Sequence, residues 1–142
     1  MFTGNYERTL DGKGRLVLPP KYRTKLPEGG YLAPLGDHLG LYPSQEFEDM
    51  LERVTERVRN GEVDQDALFG LASLAEEVQV DGQGRVGLPP RLRAKAGLDD
   101  NNEVVVVGAV KYVQIWNAAR WAERQEAIET SAAAAIAAGK TL

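Results

Sequence analysis

Cysteine is absent from this 142-residue chain, and histidine occurs once, as His38. Without cysteine there is no disulfide framework, no zinc-thiolate cluster and no thiol nucleophile, and one histidine cannot build a His-rich metal site. The chain contains three serines, none within Gly-x-Ser-x-Gly, and no Gly-x4-Gly-Lys-Ser/Thr phosphate loop occurs. Long apolar runs are lacking too. The longest run of small apolar residues, Ala132 to Ala138, is too short to span a bilayer, and the polar start MFTGNYERT lacks a signal-peptide pattern. These absences point to a cytoplasmic protein that is not an enzyme, with no catalytic residue, cofactor, metal or membrane partner expected.

The net charge is −4, which argues weakly against broad contact with nucleic acid, but the charge is unevenly placed. Glu7 to Lys25 carries +4 and Asp81 to Lys95 carries +3, leaving −11 for everything else. Two small basic segments on an acidic body can touch phosphate in one orientation and repel it in others. Solvated turns and helix surfaces would give the same pattern.

An internal duplication organises the chain. Asp11-Gly-Lys-Gly-Arg-Leu-Val-Leu-Pro-Pro-Lys-Tyr-Arg23 returns as Asp81-Gly-Gln-Gly-Arg-Val-Gly-Leu-Pro-Pro-Arg-Leu-Arg93, with eight of thirteen positions identical. Leu41-Tyr42-Pro43 through Phe47 corresponds to Ile115-Trp116-Asn117 through Trp121. Two copies are too few for a solenoid, so two similar halves are expected to close on a shared core as an internal pseudo-dimer.

Each unit reads as strand, tight turn, strand, short helix, two strands and a longer helix. Alternation puts Leu10, Leu16 and Leu18 on one face, with Val80, Val86 and Leu88 as counterparts, while Arg15 and Arg85 point the other way. Asp-Gly followed by a second glycine predicts a hairpin turn, because glycine accepts positive φ. Pro20 and Pro90 suit the first turn of short basic helices over Pro20–Lys25 and Pro90–Ala96. Strand pairs follow over Tyr31–Leu35 with Leu39–Tyr42 and over Glu103–Val107 with Tyr112–Trp116. Ser44 and Asn117 are expected to cap the longer helices, Asp64 to Glu77 to form a linking helix, and His38 to be an exposed turn residue. Tyr42, Phe47, Trp116 and Trp121 read as core aromatics, since none interleaves with the basic loops.

Gly82-Gln-Gly84-Arg-Val-Gly87 satisfies the dinucleotide fingerprint, but Pro89-Pro90 follows at once and no full helix can open there. The Asp-Gly-x-Gly-Arg motif carries two compatible readings. In the first, Asp and Gly build a turn and Arg pairs with Asp across it. In the second, Asp11 and Asp81, with Gly12, Gly14, Gly82 and Gly84, position Arg15 and Arg85 so that each guanidinium presents planar donors to phosphate or to guanine O6 and N7. Two such loops related by approximate two-fold symmetry would suit a β-ribbon entering the major groove. Lys13, Arg8, Lys21 and Arg91 are then lesser phosphate contacts.

The opening MFTGNYERTLDGKGRLVLPPKYR with the later DGQGRVGLPPRLR resembles the MraZ family of the AbrB-like, swapped-hairpin superfamily. The resemblance spans nearly the whole chain. It implies an α+β fold of two tandem AbrB-like β-α-β repeats, forming an intertwined β-barrel core with flanking helices. It divides the chain into repeats at 1–62 and 77–130, a linking helix at 63–76 and an Ala-rich tail at 131–142. The implied function is DNA-binding transcription regulation, usually repression, at short direct repeats in the protein's own promoter, upstream of the division and cell wall gene cluster. Implied partners are double-stranded DNA in the nucleoid and further copies of the chain, in a ring with eight as the expected number. In the first loop Lys13 adds charge where the second has Gln83. An antitoxin-like module gripping a protein partner through the Ala-rich tail, and a purely structural ring, are the other readings.

Overall fold

A computed structural model describes residues 1–142. Strands β1 (Asn5–Thr9) and β2 (Arg15–Val17), helix α1 (Pro20–Arg23), strands β3 (Gly30–Pro34) and β4 (Leu39–Tyr42) and helix α2 (Ser44–Arg59) form the first unit. Helix α3 (Gln65–Leu74) links it to the second, which contains β5 (Glu76–Val78), β6 (Arg85–Gly87), α4 (Pro90–Lys95), β7 (Glu103–Gly108), β8 (Val113–Asn117) and α5 (Ala118–Ala137). The architecture is mixed α+β, with eight antiparallel strands in a six-stranded sheet of order β1-β7-β8-β4-β3-β5 and a separate ribbon of β2 with β6.

The pairing departs from the expected local hairpins. β1 and β2 do not pair with each other: β1 joins β7 and β2 joins β6. In the same way β5 joins β3, so each unit's first strand lies beside the other unit's third. The turn residues behave as predicted, but strand partners are chosen by which apolar faces meet, and both units bury theirs together. One cluster of 19 buried residues draws on both, with Leu16, Leu18, Val86 and Leu88 among them. Leu10, Leu16 and Leu18 are all buried, as alternation requires.

The registers are related by a pseudo-two-fold axis. Leu16 lies opposite Val86, its equivalent at an offset of 70 (Asp11 to Asp81), and Gly40 lies opposite Gln114, its equivalent at an offset of 74 (Leu41 to Ile115). Each equivalent pair therefore straddles the axis, one in the ribbon and one in the sheet.

Local rules account for most element ends. Pro20 and Pro90 open α1 and α4, where the missing N–H costs nothing. Asn117 caps α5 by accepting from the Ala119 and Arg120 amides at 2.9 and 3.1 Å. Ser44, by contrast, is the first residue of α2 rather than its cap: Pro43 takes that place and no side-chain capping bond forms. The linking helix is shorter than periodicity suggests. Asp64 caps it, and from Glu76 the chain turns extended because β3 offers an open edge.

His38 also differs from expectation. Its ring stacks on Trp116 at 4.2 Å between centroids and bonds Asp37 through Nδ1 at 2.8 Å, leaving the side chain 13% exposed. The aromatic face of Trp116 outcompetes solvent for a flat ring held nearby. Tyr42, Phe47, Trp116 and Trp121 are buried in two satellite clusters on the sheet face covered by α2 and α5. No helix is long and apolar enough to cross a membrane.

Candidate nucleic-acid interface

The two Asp-Gly-x-Gly-Arg segments fold into the same turn. In the first, Asp11 Oδ1 accepts from the backbone amides of Lys13 and Arg15, both at 2.9 Å; in the second, Asp81 Oδ1 accepts from Gln83 and Arg85, both at 2.9 Å. Aspartate suits this place because its short side chain reaches backbone donors two and four residues on. Backbone bonds close each turn, from the Gly14 amide to Asp11 and from the Gly84 amide to Asp81. Gly14 and Gly84 need glycine, with φ of +73° and +77°. Gly12 and Gly82 have ordinary φ and open space where a Cβ would stand, so at these two positions the turn itself makes no demand for glycine.

The second carboxylate oxygen holds the arginine. Arg15 Nε donates to Asp11 Oδ2 at 2.6 Å and Arg85 Nε to Asp81 Oδ2 at 2.8 Å. In both cases only Nε is engaged, and neither terminal nitrogen has a partner within the protein. The guanidinium plane is thereby fixed with its two-nitrogen end free, the geometry suited to bidentate recognition of an acceptor pair. Amides and guanidinium together stabilise the carboxylates: Asp11 is pulled down to about 2, chiefly by the Arg15 backbone N–H, and Asp81 is lowered for the same leading reason.

The ribbon brings the two arginines onto one surface. Leu16 and Val86 face inward and are fully buried, so Arg15, Val17, Arg85 and Gly87 face outward. Arg15 lies opposite Gly87 and Arg85 opposite Val17, which places the arginines diagonally with Cα atoms about 7–8 Å apart. Two identical forks thus flank the pseudo-two-fold axis.

Sequence reasoning missed Arg23 and Arg93, which lock the loops from the opposite units. Arg93 packs over Gly14 and donates to the Leu88 carbonyl; Arg23 packs over Gly84 and donates from Nε to the Leu18 carbonyl at 2.9 Å. A methyl group on either glycine would strike that guanidinium. The ladder is reciprocal as well, with the Leu18 amide bonded to Gly84 O and the Leu88 amide to Gly14 O. Their signal was present: an arginine ends both copies of the repeat.

The lesser candidates separate. Lys13 is exposed in the first loop, with no ion-pair partner. Arg8 donates to the carbonyls of Val17 and Glu7 at 3.2 and 2.9 Å and lies over the Tyr6 ring. Lys21 stands 5.3 Å from the same ring. Arg91 faces Glu76 at 3.5 Å, which offsets its charge. No group of three His, Cys, Asp or Glu side chains gathers to hold a metal.

Comparison with known proteins agrees with the duplication. The family model described as "MraZ protein, putative antitoxin-like" matches residues 1–68 and again 71–141, so its two copies coincide with the internal repeat. The chain belongs to the MraZ family. A relative from Corynebacterium diphtheriae is 42% identical over 144 residues, covering 100% of this chain and 97% of its own length. Relatives from Mycobacterium sp. (strain KMS) and Mycolicibacterium smegmatis are 40% and 39% identical over 136 residues, covering 95% of this chain and 94% of theirs. All three are named "Transcriptional regulator MraZ", a non-enzymatic role.

Proposed function

We propose that this MraZ-family chain is a sequence-specific DNA-binding transcriptional regulator, acting as a repressor on short direct repeats in its own promoter, within the division and cell wall gene cluster. The observation that carries this reading is the pair of arginines on the ribbon's outer face, each held by Asp through Nε with its terminal nitrogens free. Such a fork meets guanine O6 and N7 or a phosphate. Arg15 and Arg85 are the principal contacts and Asp11 and Asp81 position them. Gly12 and Gly82 let DNA approach, while Gly14 and Gly84 shape the turns. Lys13, Arg8, Lys21 and Arg91 contact phosphate, Arg91 least because of Glu76.

The fold is read as two AbrB-like repeats, 1–62 and 77–130, intertwined by hairpin swapping, with a linker at 63–76 and a tail at 131–142. The exchange of β1 and β5 between units supports this. The working form is a ring of chains, eight by expectation, in the cytoplasm at the nucleoid, where weak single sites add up over several repeats.

The test is a fluorescence anisotropy titration on DNA from just upstream of the gene, beside scrambled DNA, at two salt concentrations. Preference for the natural DNA that weakens with salt and vanishes in Arg15→Ala/Arg85→Ala supports the reading. Equal binding of both DNAs, or a double variant that binds as well as the parent, refutes it.

A second reading is favoured by the outer half of α5, which carries Ile136 at 62% exposure and contains no buried residue. In it the tail grips a protein partner. Deleting residues 132–142 would then abolish partner capture and leave promoter binding intact.

A further inference from the structure

The pseudo-two-fold relation between the units leaves the ribbon's outer face nearly symmetric, but the surfaces on its two flanks are different. Beside β2, Arg8 reaches the Val17 carbonyl at 3.2 Å, so the flank begins at the ribbon's edge. From there a line of cations runs along β1, α1 and the two residues after it, where Lys25 also donates to the Met1 carbonyl. Arg8 lies 5.6 Å and Lys21 5.3 Å from the centre of the Tyr6 ring; Lys21 is also 5.8 Å from Tyr22, and Lys25 is 5.6 Å from Phe2. The rings are braced edge to face, Tyr6 on Tyr22 and Phe2 on Tyr22. Aromatic faces hold cations in place without neutralising them. None of Arg8, Lys13, Lys21 or Lys25 has a carboxylate within ion-pair distance.

The equivalent flank beside β6 is built from other chemistry. Tyr6 is replaced by Glu76, Arg8 by Val78 and Lys13 by Gln83, while Lys21 becomes Arg91, which pairs with Glu76; only Lys95 corresponds to Lys25 in kind. A carboxylate thus stands where the first unit has an aromatic platform.

We infer that Tyr6, Arg8, Lys21 and Lys25 form a backbone-phosphate surface that grips DNA beyond the arginine pair chiefly on the first unit's side, the second keeping only Lys95 and an Arg91 offset by Glu76. This rests on the DNA-binding reading above and adds to it a direction. A symmetric reader would extend its footprint equally to both sides of its site. This chain extends it to one side, an arrangement that fits sites repeated head to tail, where each surface lies against the same flank of its own repeat. Tyr6 is a positioning residue here: it preplaces two cations that themselves touch phosphate.

The experiment measures anisotropy with full-length protein on duplexes carrying one repeat from the upstream DNA, trimmed of its flanking base pairs on the left, on the right or on neither side. Trimming one flank should weaken binding roughly tenfold, as expected for three modest surface ion pairs, and should flatten the salt dependence by about 0.9 for each phosphate removed from a cation's reach. Trimming the other flank should change little. In Lys21→Gln/Lys25→Gln, whose substituted side chains are exposed and leave the core intact, the difference between flanks should shrink severalfold while preference for the repeat over scrambled DNA remains. Tyr6→Glu should shrink it further by mimicking the second unit, with circular dichroism as the check that it folds. Equal sensitivity to both trims, or a one-sided sensitivity untouched by Lys21→Gln/Lys25→Gln, overturns the inference while repeat preference persists. Loss of all preference for the repeat in the parent protein instead overturns the underlying DNA-binding reading.

Discussion

The two units of this chain share their turn mechanics almost atom for atom and differ in what surrounds the turns. Both aspartates bond two amides and one arginine Nε, both second glycines sit at positive φ, and both loops are locked by an arginine from the other unit. Around them, the first unit has Lys13, Arg8 and Tyr6 where the second has Gln83, Val78 and Glu76. What is retained is the geometry that fixes a guanidinium; what has diverged is the electrostatic support for using it. Under the proposed DNA-binding function, presentation and affinity would then be separable properties of one motif.

The largest effect should come from breaking what the units share. Leu16 sits at the axis against Val86, fully buried, so Leu16→Ala should lower stability by about 2–5 kcal/mol in urea unfolding. Val17→Ala, in the same strand but exposed, should stay within about 0.5 kcal/mol.

Next in size is the loss of a fork. Removing either arginine should cost about 1–3 kcal/mol of discrimination at its base. Arg15→Ala should cost more than Arg85→Ala, because Lys13 supports only the first loop; equal losses, or a larger one at Arg85, would remove the asymmetry from the account. Smaller still is loosening a fork without deleting it. Asp11→Asn keeps an oxygen for the two amides but loses the charged grip on Arg15, and should weaken specific binding about fivefold, of the order of one hydrogen bond. Anisotropy on parent DNA reads both.

The comparison can also be sharpened by erasing a difference. Gln83→Lys gives the second loop the charge of the first, and should tighten binding and steepen the salt dependence by about 0.9. The smallest effect is that of pH. Asp11 titrates at about 2 when folded, below its ordinary 3.8, so its contribution is complete above that ordinary value and is lost only as pH falls toward 2. Asp81 is shifted the same way. Affinity should therefore show no step from either aspartate between about pH 5 and 8.

Local features were legible in the sequence. The duplication shows as a repeated string, and the prolines opening α1 and α4, the Asn117 cap, the inward leucines and the outward arginines all follow from residues a few positions apart. What was not legible depends on distant partners. The Asp-Gly-x-Gly turn is a local object, but whether β1 pairs with β2 or with β7 is decided by how two apolar faces are buried together. A turn position predicts exposure for His38, but its environment is set by Trp116, far along the chain. The recurrence of Arg23 and Arg93 at the end of each copy is visible in the sequence, but nothing near them indicates that a glycine of the other unit lies beneath. The divergence at Tyr6 and Glu76 stands in the sequence, but its meaning depends on Lys21 and Arg91 being folded against those positions.

The central claim is that fixed planar forks, rather than positive charge, read the DNA. It is tested most directly by measuring Arg15→Lys/Arg85→Lys on natural and scrambled upstream DNA at low and moderate salt. Lysine keeps the charge and loses the fork. The account predicts that binding persists and remains salt-sensitive while the preference for natural DNA disappears. A lysine pair that discriminates as well as the arginines would contradict it.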